Sequence, residues 1–179
     1  MTDSSLAERL ADQSAPPSQR SFLASHRAAA ACKRELDRLA EDVARRLTTS
    51  QHVNVDETPV VRLSPDRCIV QLGPVALTVV WLKGARDSVA EGELLVIVWR
   101  GAVGARAPNL PERPGAHRAP SATALWERVL VPVAEDEATW SWQPRGAASA
   151  DAGRCSSSAL AAQCTERLYE AYVESRGQR

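Results

Sequence analysis

Apolar residues recur at two different spacings along the chain, and each spacing predicts a different kind of secondary structure. From Ser21 to Thr48 an apolar residue returns every three or four positions, while charged residues occupy the opposite side. This spacing predicts one amphipathic helix over residues 21–48. A similar pattern predicts a second helix over roughly 157–175, with Ser156 or Ser157 as its N-cap.

Between the two helices apolar residues alternate with polar ones, which is the pattern of β-strands. The predicted strands cover 60–63, 68–72, 75–83, 93–100, 125–133 and 138–143. Pro65 and Asp66 favour a turn between the first two strands. Strands 75–83 and 93–100 are apolar on both faces. We therefore expect them at the centre of a sheet that is covered on each side, in part by the two helices.

These elements place the chain in the α+β class. We expect a single, mostly antiparallel sheet of about six strands, a four-strand meander followed by a hairpin, packed by an N-terminal and a C-terminal helix. The domain would span 20–176, after a flexible N-terminal tail at 1–19. It would contain a Pro-rich loop at 101–124 and a small-residue linker at 144–155.

Composition narrows the class of protein. The chain has 179 residues, of which 44% are apolar and 25% charged, and this suits one globular domain. Its formal net charge is zero and no dense Arg or Lys ladder accompanies its aromatic residues, which argues against nucleic acid or a membrane as partner. The N-terminus lacks the pattern of a secretory signal, and no segment reaches the length of a membrane span. We therefore expect a cytoplasmic protein.

Sequence motifs for catalysis and metal binding are absent. The four cysteines include no C-x-x-C pair and have no His companion at zinc-site spacing, so we predict no metal site. Neither G-x-S-x-G nor H-E-x-x-H occurs, and the chain has no complete dinucleotide loop or P-loop. We assign no catalytic residue and no cofactor. Because catalytic residues can converge from distant positions, the sequence leaves enzymatic activity open while favouring a non-enzymatic role.

Trp140 and Trp142 are the first candidates for a contact surface. Because they are two residues apart in a predicted strand, their rings project to the same side. The pair either fills the core or forms an aromatic face that anchors a partner. Trp81 and Trp99 lie in the two central strands, and pairing of the strands in chain order would allow them to share one face.

The Pro-rich loop is the second candidate surface. Arg106, Arg113 and Arg118 give it a local excess of positive charge. Two interpretations stay open: the loop is a disordered insertion, or it becomes ordered on a partner.

The order of elements resembles that of small cytosolic chaperones and adaptors of bacterial secretion systems, a likeness of layout that implies protein binding. We therefore favour a non-catalytic protein-binding module: an adaptor, a dedicated chaperone, or an inhibitor or immunity-type partner. It would bind another protein through an exposed strand edge, the Trp140 and Trp142 face, or the basic loop. A homodimer is a further possible assembly.

The alternative is a small-ligand-binding protein or an enzyme with a pocket between sheet and helix. Arg100, His117 and Glu127 would then converge on the ligand, and the Pro-rich loop would cover it.

Overall fold

The computed structural model describes residues 17–49, 57–101, 103, 122–149 and 152–177. The helices are α1 (Pro17–Leu23), α2 (His26–Thr49) and α3 (Ser157–Gly177). The strands are β1 (Val60–Ser64), β2 (Arg67–Leu72), β3 (Val75–Leu82), β4 (Glu93–Arg100), β5 (Thr123–Val133) and β6 (Ser141–Pro144). Most of the predicted tail at 1–19, most of the loop at 101–124 and part of the linker at 144–155 lie outside the described residues.

All six strands form one antiparallel sheet in chain order, from β1 to β6. The predicted α+β fold is confirmed, and so is the central position of β3 and β4. Pro65 and Asp66 form the turn of the β1–β2 hairpin, since Ser64 pairs with Arg67 across them. Gly73 reverses the chain between β2 and β3 at a φ of +52°, a conformation that a residue without Cβ adopts at little cost.

α2 and α3 lie on the same side of the sheet, which we call the helix face. The helix-face residues of β3 are Val75, Leu77, Val79 and Trp81, and they join residues of both helices in one apolar cluster. α3 contacts β3 and β4 directly and packs beside α2. The sequence predicted cover on both sides of the sheet. Within the described residues both long helices cover one side, because α3 packs next to α2 instead of crossing to the other side.

The opposite side of the sheet, which we call the far face, is also apolar at its centre. Alternation along the paired strands assigns its central apolar residues; they are Ile69, Ala76, Val80, Leu95, Ile97, Trp99, Val129 and Val131. Ala76 and Ile97 are buried, and the others are half-buried.

The tryptophans of the two central strands lie on opposite faces. Trp81 pairs with Leu94, whereas Trp99 pairs with Ala76. Ala76 and Trp81 are five positions apart on β3, and residues an odd number of positions apart in a strand point to opposite sides. The strands pair in chain order, but their register contradicts the expectation that Trp81 and Trp99 share a face. On the far face, Trp99 Nε1 donates a hydrogen bond to Thr78 Oγ1 at 3.1 Å.

The predicted helix over 21–48 is divided into α1 and α2 by a break at Ala24 and Ser25. Ser25 caps the second helix: its Oγ accepts a hydrogen bond from the Ala28 backbone N–H at 3.3 Å. The apolar stripe of α2, which includes Leu39 and Val43, is buried inside the molecule. In the described part of the chain no helix is both long and apolar enough to span a bilayer.

Candidate functional site

Trp140 and Trp142 lie in the hydrophobic core. Trp142 is fully buried, and Trp140 is 8% exposed. The two rings meet edge-on with their centroids 5.6 Å apart, and Trp81 meets Trp142 in the same way at 6.0 Å. Of the two roles that the sequence left open for this pair, the structure gives core packing. The pair therefore presents no exposed aromatic face to a partner.

A chain of hydrogen bonds ties the indole of Trp142 to both long helices. Trp142 Nε1 donates to Ser157 Oγ at 2.9 Å, and Ser157 Oγ donates to Glu35 Oε2 at 2.7 Å. Arg38 donates to Glu35 Oε1 at 2.6 Å. Hydrophobic spacing along the chain does not predict this network, although Glu35 interrupts the apolar stripe of α2 as its one charged member. Since Trp142, Ser157 and Glu35 are all buried, the network is a structural feature that joins α2, β6 and α3.

The β6 edge of the sheet is closed by the segment that leads into α3. The Trp142 N–H donates to the Cys155 carbonyl at 2.8 Å, and the Cys155 N–H donates to the Trp142 carbonyl at 2.9 Å. These two bonds form an isolated antiparallel bridge on the outer side of β6. The backbone at this edge is thus paired within the molecule.

The β1 edge has the opposite character. β1 pairs with β2 on one side, and within residues 57–101, 122–149 and 152–177 no strand pairs with its outer side. Four of its five residues are exposed. Val60 is 51% exposed and Leu63 is 59% exposed, which makes them two of the five large apolar residues that lie exposed in the described chain.

A groove separates α2 from the β1–β2 hairpin. It consists of two adjoining hollows with volumes of about 280 Å³ and 110 Å³. Both hollows are lined by Leu36 of α2, by the hairpin turn at Pro65 and Asp66, and by Trp81. Leu63 of β1 lines the smaller hollow. We call the two hollows together the hairpin groove; it runs beside the open edge of β1.

Charged side chains of both signs lie on the rim of the hairpin groove. Lys33 Nζ contacts Asp37 Oδ2 at 2.8 Å, and Lys83 Nζ lies 3.5 Å from Asp66 Oδ2. The hydrogen bond to Asp37 raises the pKa of Lys33 above its ordinary value. The rim can therefore pair with charges of either sign on a bound molecule.

The two cysteines of the groove are unsuited to nucleophilic chemistry. Burial raises the pKa of the Cys32 thiol to about 12, with smaller contributions from the nearby carboxylates of Asp66 and Glu35. Burial also raises the pKa of the Cys68 thiol to about 11. Both groups stay protonated at neutral pH, whereas the nucleophile in cysteine chemistry is the thiolate.

The residues predicted for a ligand pocket do not come together. Arg100 is exposed at the end of β4, on the helix face, where it pairs with Thr123 and Val75. Glu127 is exposed on the far face, opposite Ile97. His117 of the same prediction lies outside the described residues, as do Arg106, Arg113 and Arg118 of the basic loop. Arg100 and Glu127 cannot converge on one ligand from opposite faces of the sheet.

In the described ranges no group of His, Cys, Asp and Glu side chains is arranged to hold a metal ion. Comparisons with protein-family models, with curated proteins and with solved structures find no match to this chain. The candidate site therefore stands on its geometry alone: an open strand edge beside an apolar groove with a charged rim.

Proposed function

We propose that this protein is a non-catalytic protein-binding module that takes up an extended segment of its partner as an additional strand on β1. The observation that carries the proposal is the difference between the two edges of the sheet. The β6 edge is paired by residue 155, while the outer side of β1 has no strand partner in the described chain. An open edge offers a row of N–H and C=O groups to which an extended peptide can hydrogen-bond.

The side chains of β1 support this role. Natural proteins protect open edges from unwanted pairing with charges, prolines or bulges. β1 carries one charged residue, Arg62, whereas Val60 and Leu63 expose more than half of their surface. Exposed apolar residues on a free edge strand suit a surface that is covered when the partner is bound.

The hairpin groove would provide side-chain specificity for the added strand. Side chains of an extended peptide alternate between the two faces, so every second side chain would point toward α2 and the groove. The apolar lining at Leu36 and Trp81 suits an apolar side chain. The groove is divided into two hollows of about 280 Å³ and 110 Å³, and each hollow by itself is smaller than the ~300–1,000 Å³ of typical small-molecule pockets, which suits separate side chains of a peptide.

A cytoplasmic adaptor, a dedicated chaperone, or an inhibitor or immunity-type partner would each use such an edge. The three differ in what happens to the partner after binding, while recognition is by the same surface. The identity of the partner would decide among them.

A pair of leucine substitutions tests the proposal. Leu63 lies on β1 beside the groove, and Leu125 lies on β5; both are exposed in the free protein, at 59% and 39%. We expect a partner captured from an extract of the source cells to be retained by Leu125→Asp and lost by Leu63→Asp. Both variants should unfold as the wild type does, since surface substitutions usually change stability by less than about 0.5 kcal/mol.

Hydrogen exchange of the purified complex provides the direct readout. Bound partner should slow exchange of the β1 amides, because their N–H groups enter a new ladder. Equal capture by Leu63→Asp and wild type, or protection confined to elements other than β1 and α2, would contradict strand addition.

A further inference from the structure

The far face of the sheet carries a second inference, independent of the β1 edge. An antiparallel sheet with one side in water usually places polar residues on that side. Here the far face is apolar across three neighbouring strands, with Ala76 and Val80 on β3, Leu95 on β4, and Val129 and Val131 on β5. Both long helices lie on the other side. A surface of this kind is typical of an interface.

One row of residues across the far face shows which partner fits it. Reading from β1 to β5, consecutive strand pairings align Arg62, Ile69, Thr78, Ile97 and Glu127. The row is basic at one end and acidic at the other, with the buried Thr78 between two isoleucines in the middle. Arg62 and Glu127 are both exposed, and neither has an ion-pair partner among the described residues.

We infer that the far face is a self-association surface on which a second copy of this chain packs sheet against sheet. A two-fold axis along β3 would place β1 of one copy over β5 of the other. Arg62 of each copy would then face Glu127 of its partner, and Ile69 would face Ile97. The row is thus complementary to itself under this symmetry, as an isologous interface requires.

Charge also selects the direction of the axis. A two-fold axis across the strands would stack β1 on β1, so that Arg62 would face Arg62 and Glu127 would face Glu127. Like charges at an interface disfavour that assembly. Both axes keep the strands of the two layers aligned to within about 30°, as in aligned packing of two sheets, so the charges decide between them.

The far face is large enough for such a dimer. Six strands of four to eleven residues, about 4.8 Å apart and at about 3.3 Å per residue, cover a flat area of roughly 650 Å². Side-chain relief increases the accessible area of such a patch. The result is comparable with the ~800 Å² per partner of a standard protein interface.

Charge reversal provides the test. Sedimentation velocity of the full chain between about 1 and 100 µM should show the wild type shifting from monomer to dimer. Arg62→Glu and Glu127→Arg each bring two like-charged pairs together in the dimer, and each should raise the dissociation constant about tenfold. The double variant Arg62→Glu/Glu127→Arg restores opposite charges under the β3 axis and should return to the wild-type dissociation constant.

A matched control uses a charge on the opposite side of the molecule. Arg167 of α3 has a side chain that is 51% exposed. Arg167→Glu should dimerise as the wild type does. All variants change exposed side chains, so unchanged thermal unfolding of the monomer serves as the check on folding.

Three results would overturn the inference. The first is a wild type that stays monomeric over the whole concentration range. The second is a dimer that neither charge reversal weakens, which is the outcome for an axis across the strands, because each residue would then face its own copy before and after the reversal. The third is a double variant that associates no better than the single variants, because Arg62 and Glu127 would then not face each other across the interface. None of these readouts involves Leu63, so failure here would leave strand addition on β1 intact, and failure of strand addition would leave this dimer intact.

Discussion

The two edges of this sheet differ in what lies beside them. On the β6 side, a fully buried Trp142 pairs with Cys155 and hydrogen-bonds through Ser157 to Glu35. On the β1 side, the outer backbone has no strand partner in the described chain, and Leu63 is 59% exposed. The difference teaches that this fold stabilises one edge through its core and leaves the other available. Substitutions at the two edges should therefore have very different costs.

The largest effect is expected for Trp142→Ala. The substitution removes a fully buried ring that contacts two other indoles, and it leaves a cavity beside Ser157. We expect the free energy of unfolding to fall by about 3–5 kcal/mol. Leu63→Ala on β1 should change it by less than about 0.5 kcal/mol. Urea unfolding followed by tryptophan fluorescence and circular dichroism measures both values, and similar losses at the two positions would remove the proposed difference between the edges.

The next effect concerns the hydrogen bonds that Ser157 makes to Trp142 and Glu35. Substituting Ser157 and its neighbour Ser156 in turn distinguishes the contribution of these bonds from that of helix capping. Ser157→Ala leaves the indole N–H of Trp142 and the carboxylate of Glu35 without their shared partner in a buried place. This should lower the free energy of unfolding by about 1–3 kcal/mol. Ser156 is exposed and only caps α3, accepting from the Ala159 N–H at 3.2 Å. Ser156→Ala should cost about 0.5–1 kcal/mol. If the two losses in unfolding free energy were equal, the buried network would contribute nothing beyond a cap.

Some features of the fold could be predicted from the sequence, and others could not. The bounds of β4 were predicted as 93–100 and found as Glu93–Arg100, because a mostly apolar run of eight residues between two glycines has the length of a buried strand and is short for a helix. The break at Ser25 was missed because the apolar period continues through it. The side on which Trp99 lies was missed because register depends on the turn, which a period of two does not specify.

The candidate site was foreseen only in general terms. An exposed strand edge was expected, but a list of strands does not say which strand is outermost on the open side. The hairpin groove depends on the distance between α2 and the turn at Pro65 and Asp66, which are far apart in sequence. The role of Trp140 and Trp142 was left open because it also depends on contacts between distant parts of the chain. Alternation shows that the two rings share a side, and tertiary packing decides whether that side is exposed to solvent.

Stability at alkaline pH should test whether the core between α2 and the β1–β2 hairpin excludes water. Cys68 of β2 and Cys32 of α2 have pKa values raised from 9.0 to about 11 and about 12, in both cases mainly by burial. A raised folded-state pKa contributes stability that is complete below the unfolded pKa and is lost as the pH rises toward the folded value. By pH 10 each thiol should lower the free energy of unfolding by about 1 kcal/mol.

The control for the alkaline effect is the slope of stability with pH. Cys68→Ala and Cys32→Ala should each reduce the slope between pH 9 and pH 11, whatever they cost at neutral pH. Unfolding free energies measured by urea at a series of pH values give this slope. A slope that neither substitution alters would show that water reaches both thiols, and that the core does not extend under the β1–β2 hairpin.

The smallest effect is expected for the ion pairs that link α2 to the turn before β6. Glu137 Oε1 contacts Arg27 at 3.0 Å, and Glu137 Oε2 contacts Arg34 at 2.7 Å. Mainly because of the hydrogen bond from Arg27, the pKa of Glu137 is lowered from 4.5. A lowered folded-state pKa gives stability that is present above the ordinary value and is lost as the pH falls through the folded value. Since these groups are exposed, the loss should be small and should shrink in high salt.

Glu137→Gln should therefore remove a minor, salt-sensitive part of the acid destabilisation, measured as the thermal midpoint between pH 5 and pH 3. Glu135 provides the matched control, because it is exposed in the same turn and has no ion pair among the described residues. Glu135→Gln should leave the acid profile unchanged. A large effect of Glu137→Gln would mean that surface ion pairs stabilise the β6 edge. A small effect supports the view that the buried contacts of Trp142, Ser157 and Glu35 stabilise it.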